Sequence, residues 1–75
     1  MAPFEERLLE EHSQLKEKLD KLDYFLRTVD PSTINKHQLF LLGAQREAMK
    51  KYLITLELRM DNLGINYREE VSDDG

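Results

Sequence analysis

Cysteine is absent from this chain of 75 residues, which removes disulfides and thiolate zinc sites as sources of stability. Tryptophan is also absent, and only three glycines and two prolines interrupt the sequence. So few breakers, with 35% charged and 40% hydrophobic residues, point to long helices rather than sheet or disorder. No apolar run approaches the roughly 18 residues of a membrane span, and the N-terminus lacks a basic-then-apolar signal pattern. Both features lead us to expect a cytosolic protein. A net charge of −4 disfavours a general nucleic-acid binder, which would carry a basic face. One domain at most fits this length, and its core is thin enough that self-association is the expected support.

The apolar residues fall into two helical stretches. Pro3 suits a first helical turn, where Glu5 and Glu6 complement the positive end of the helix dipole. Leu8, His12, Leu15, Leu19, Leu22, Leu26 and Val29 then recur at alternating spacings of four and three, a heptad seam with one polar member. Leu9 and Phe25 widen this stripe. The pairs Glu17–Lys21 and Asp23–Arg27 stand at i,i+4 on the opposite face. Asp30-Pro31-Ser32-Thr33 stops the helix, because a residue before proline is pushed out of the α region.

A second helix restarts near Asn35, a capping residue with Gln38 three positions on. Leu42, Met49, Leu53, Leu56, Met60 and Leu63 form its seam, interrupted at Arg46, and Gly64 is the expected left-handed terminator. Gly43, inside the helix, suggests close approach by another backbone. Gln45, Ala48, Tyr52, Thr55 and Arg59 recur along a second face, which points to an oligomer. Charge divides unevenly: residues 1–30 hold eight acids and five bases, residues 31–68 three acids and six bases. That asymmetry favours pairing of the two helices, within a chain or between chains. The expected architecture is all-α: two long antiparallel helices joined by a short turn, assembled into a compact helical oligomer. Residues 1–68 form its single domain, and residues 69–75 an acidic, mobile tail.

Catalytic constellations are missing. The Glu-x-x-His pattern of carboxylate-bridged di-iron sites fails twice, since Leu9 stands three residues before His12 and Ile34 three before His37. There is no His-Glu-x-x-His, no phosphate-cradling glycine loop and no Gly-x-Ser-x-Gly elbow. We expect a binding protein without a cofactor or metal, not an enzyme.

Two residues of the first helix carry alternative readings. His12 either sets helix register as a polar seam residue, or offers a planar ring for stacking on a base. Arg27 either complements the helix C-terminus or clamps a phosphodiester. Fifteen positions separate them, about 22 Å of helical rise, so one small ligand does not span both on one helix. Two antiparallel copies of the helix would bring His12 of one chain towards Arg27 of the other, in two-fold related pockets.

The runs Glu-Arg-Leu-Leu-Glu-Glu-His (residues 6–12) and Leu-Lys-Glu-Lys-Leu-Asp-Lys-Leu-Asp-Tyr-Phe-Leu (residues 15–26) resemble the first helix of a phage family. Leu41-Leu42, Gln45, Ala48-Met49, Tyr52, Leu56 and Arg59 resemble its closing helix. This is the phage anti-CBASS sponge family, which sequesters cyclic oligonucleotide messengers of bacterial antiviral defence. The resemblance covers roughly residues 5–68. It implies a helical hexamer, acting in the cytoplasm of the infected host, that holds cyclic dinucleotides such as cGAMP between subunits without cleaving them. It also implies cyclic trinucleotides at three-fold pockets. By position, it makes His12 the stacking ring, where relatives often have tyrosine, with Ser13 its polar neighbour. Arg27 and Thr28 become the phosphate-side pair, where a lysine is common. Gly64, Tyr67 and Arg68 match the three-fold pocket, although Arg68 equally offsets Glu69 and Glu70. The alternative from a different class is a structural or adaptor coiled-coil protein that binds another protein through its seams. A DNA-binding role is disfavoured by charge and by the absence of a helix-turn-helix pattern.

Overall fold

The computed structural model describes residues 3–67. Helix α1 runs Pro3–Thr28, a single 3-10 turn covers Pro31–Thr33, and helix α2 runs Lys36–Asn62. The expected acidic tail and Arg68 lie outside the described residues.

Local chemistry sets each boundary. Proline opens α1, where its missing N–H has no intrahelical acceptor to serve. At the turn, the Asp30 carboxylate accepts from the Ser32 backbone N–H at 3.0 Å and from the Ser32 hydroxyl at 2.9 Å. These two bonds, the backbone one first, hold its carboxyl below the ordinary carboxylate range. Asn35 caps α2, its side chain accepting from the backbone N–H groups of His37 at 2.7 Å and Gln38 at 3.1 Å. Gly64, at φ 72°, closes α2 as a left-handed residue. Its N–H donates to Asp61 and that of Ile65 to Met60, the paired bonds of a Schellman motif.

The helices lie antiparallel along the predicted seams. In that register position 12 meets position 57, and position 23 meets position 46. Leu8, Leu15, Leu56, Met60 and Ile65 form the core, with Leu9, Met49, Leu53 and Tyr67 packed against it. The core is lopsided. Leu56 and Met60 are fully enclosed, whereas Leu22, Leu26, Leu39 and Leu42, at the turn end, are only half-buried.

One expectation needs correction. Leu63 continues the heptad spacing but is 45% exposed, because the Schellman turn carries the chain off the helix there. Ile65 swings back onto Met60 in its place and is buried. Gly43 meets no partner within the chain: a Cβ added there would find nothing within 4 Å. The second face of α2, from Gln45 to Arg59, is exposed throughout. Phe40, Ile54 and Leu58 are exposed as well.

So small a core makes each enclosed side chain count. Leu56→Ala should cost about 2–5 kcal/mol, read as a lowered urea midpoint with unchanged m-value. Leu42→Ala, at a half-buried position, should cost clearly less. Equal costs at the two positions would show that the turn end is as tightly packed as the core.

Candidate functional site

His12 stands on the inner face of α1 between Leu8 and Leu15, and the antiparallel register places Glu57 of α2 across from it. The histidine is 6% exposed. Its Nε2 lies 2.9 Å from Glu57 Oε2. An ionised carboxylate can only accept, so Nε2 carries the proton and donates, which fixes the tautomer of the neutral ring. Tyr67, brought back by the Schellman turn, lays its ring against His12 with centroids 5.1 Å apart and planes tilted by 45°. That separation is favourable for an aromatic pair.

An open groove of about 920 Å³ runs along this end of the molecule. Leu9, His12, Ser13, Lys16, Glu57 and Tyr67 line it. Its charged wall is largely self-neutralised, with Lys16 3.8 Å from Asp20 and Lys21 3.4 Å from Glu17. The groove thus offers apolar and aromatic surface, one hydroxyl from Ser13 and the Glu57 carboxylate. Among the described residues no group of three or more His, Cys, Asp or Glu side chains could hold a metal ion.

The other expected residues sit at the far end of α1. Arg27 Nε donates to Asp23 Oδ2 at 3.2 Å, and Arg46 Nη1 reaches the second oxygen of the same carboxylate at 3.4 Å. The Thr28 hydroxyl donates to the Tyr24 carbonyl at 2.9 Å, which leaves its oxygen able to accept. Within one chain, therefore, His12 and Ser13 share a groove, while Arg27 and Thr28 form a separate polar end. Tyr67, expected at a three-fold pocket with Gly64, sits against His12 within the chain, and Gly64 itself is exposed.

Glu57 and Arg46 were not singled out from sequence as partners of α1. The antiparallel register would have paired both, since each contact joins positions whose numbers add to the same total. That register becomes readable only when the turn and both seams are combined.

The His12–Glu57 pair has a measurable consequence. Glu57→Leu would strand a buried N–H, and such a loss costs about 1–3 kcal/mol. A double-mutant cycle between His12→Leu and Glu57→Leu should return a favourable coupling of similar size. A coupling near zero, by denaturant unfolding, would mean that the contact is incidental.

No curated protein and no solved structure matches the chain. One family model does, under the description Sequestin, and it aligns with residues 2–62. The matched span includes the whole of α1, the turn and all of α2 as far as Asn62. It therefore takes in His12, Ser13, Arg27, Thr28 and Glu57, and excludes Gly64 and Tyr67. The family's name denotes sequestration, and the match agrees with the resemblance carried by the heptad leucines and the Gln45–Tyr52 run. By a match that extends over both helices, the chain belongs to the Sequestin family.

Proposed function

We propose that this protein sequesters cyclic di- and trinucleotide messengers of CBASS immunity without cleaving them, as a phage anti-defence sponge in the host cytoplasm. The observation that carries the reading is membership, over both helices, of a family named for sequestration. The groove beside His12 supports it: a planar base needs an aromatic wall and a polar rim, which His12, Tyr67 and Ser13 supply. Because His12 is enclosed within its own chain, base stacking there requires Tyr67 to tilt aside. The phosphates cannot be met by Arg27 and Thr28 of the same chain, about 22 Å away along α1. A second protomer, packed antiparallel, would supply them.

That requirement joins the sponge reading to assembly. The exposed face of α2, with Tyr52, Ile54 and Leu58, and the open space at Gly43 are surface for further copies. A hexamer provides two-fold pockets for dinucleotides and three-fold positions for trinucleotides, the latter drawing on Gly64, Tyr67 and Arg68. The adaptor reading keeps one specific support, since the same exposed apolar side chains would also suit a helical protein partner.

The two readings separate in a heat-shift assay with cyclic dinucleotides and trinucleotides. A sponge gains stability by mass action, about 2.7 kcal/mol when free ligand is a hundredfold above Kd. An adaptor does not respond. Arg27→Ala removes a charge-assisted contact worth about 1.5–3 kcal/mol, so dinucleotide affinity should fall roughly 10- to 100-fold with helix content unchanged. Mixing His12→Ala with Arg27→Ala chains should restore some pockets after subunit exchange. Sedimentation at micromolar concentration should find a discrete oligomer. A well-folded monomer there would defeat the shared-pocket account.

A further inference from the structure

One position of the α2 seam breaks its apolar pattern. Arg46 stands between Leu42 and Met49, where the heptad spacing asks for a hydrophobic side chain, and its side chain is only 28% exposed. It reaches across the seam to Asp23. The geometry there is unusual for a simple interhelix ion pair, because one carboxylate serves two guanidiniums. Asp23 Oδ2 accepts from Arg27 Nε at 3.2 Å, and Oδ1 accepts from Arg46 Nη1 at 3.4 Å. Arg46 Nε is buried and lies 3.4 Å from the Glu47 carboxylate, yet it is not aligned to donate to it. Glu47 is shared in turn with Lys50, at 3.6 Å. The cluster of Arg27, Arg46 and Lys50 with Asp23 and Glu47 thus carries one more positive than negative charge.

A purely structural clasp accounts poorly for this arrangement. Half-buried ion pairs seldom stabilise more than apolar packing of the same volume, so a leucine or methionine at position 46 would serve the seam as well. A clasp also needs one arginine, whereas Asp23 gathers one from each helix. A phosphodiester, by contrast, presents two non-bridging oxygens in a fork much like that of a carboxylate, and guanidiniums bind either fork in the same way.

We propose that Arg46 is a second phosphate-binding residue of the Arg27 site, and that Asp23 holds the place of the phosphate until the ligand arrives. The inference rests on the sequestration reading and extends it to a named charge exchange. In the empty protein Asp23 keeps both guanidiniums ordered and prevents their mutual repulsion. On binding, a non-bridging oxygen pair takes over the two donors, and the unfilled Nε of Arg46 becomes available to it. Asp23 is a competitor of the ligand, so its removal should strengthen binding.

Calorimetric titration of the full chain with cGAMP tests this, using wild type, Asp23→Asn, Arg46→Gln, Arg46→Lys and Arg27→Ala. Arg46→Gln should weaken binding about tenfold or more, the scale of one charge-assisted hydrogen bond, with Arg46→Lys intermediate. Asp23→Asn keeps the side chain's shape and should tighten binding by about tenfold, because a competing charge is gone. A structural clasp predicts weaker or unchanged affinity for Asp23→Asn, the opposite of the expected tightening. That result overturns the proposal even if Arg46→Gln fails to fold. Arg46→Gln affinity within about twofold of wild type, alongside a large loss in Arg27→Ala, overturns this inference and leaves the sponge reading standing. No binding of cGAMP by the wild-type chain overturns the charge exchange together with the dinucleotide reading beneath it.

Discussion

The antiparallel seam between α1 and α2 is the constraint on which every other feature of the chain depends. It buries few side chains, so its register is not set by hydrophobic area alone. Leucines at heptad spacing could slide by one repeat at modest cost, whereas a histidine that must meet a glutamate cannot. The part-buried His12–Glu57 bond therefore acts as the pin of the alignment. The Asp23–Arg46 contact fixes the same register a second time near the turn. With two polar contacts defining the alignment, the apolar residues between them need only fill space.

The same pin shapes the candidate site. Because His12 is engaged by Glu57 on one side and by Tyr67 on another, its ring is oriented before any ligand approaches. At the opposite end Asp23 orients the Arg27 side chain in the empty protein. The chain thus presents an aromatic end and a cationic end on one long helix, too far apart to meet one compact ligand alone. The proposed sharing of pockets between copies rests on that length, and the exposed face of α2 is the surface proposed for further copies.

Much of this was legible in the sequence because it is local. Pro3, the Asp30-Pro31 stop, the Asn35 cap and the Gly64 terminator each act within a few residues, and all appear where the chain places them. Glu17–Lys21 and Asp23–Arg27 also form, since i,i+4 spacing settles them. What escaped is what depends on register or on the path after a turn. Leu63 fits the heptad but is turned outward, and Ile65, off the pattern, enters the core because of the Schellman geometry. Tyr67 stands at the flank of His12 for the same reason, a contact that heptad spacing does not show. His12 is the polar seam residue, and it also lines the groove. For Arg27 the i,i+4 pair with Asp23 was legible, whereas spacing gave no sign that Arg46 would share the carboxylate.

Sequestration without chemistry is the central claim, and the fate of the bound nucleotide tests it most directly. The protein would be incubated with a limiting amount of cGAMP until no free ligand is detected, then heat-denatured, and the released nucleotide quantified by mass. The account predicts complete disappearance from solution followed by full recovery of the intact cyclic molecule. Recovery of linear or smaller products would identify an enzyme, and failure to deplete the free nucleotide at all would contradict the account at its base.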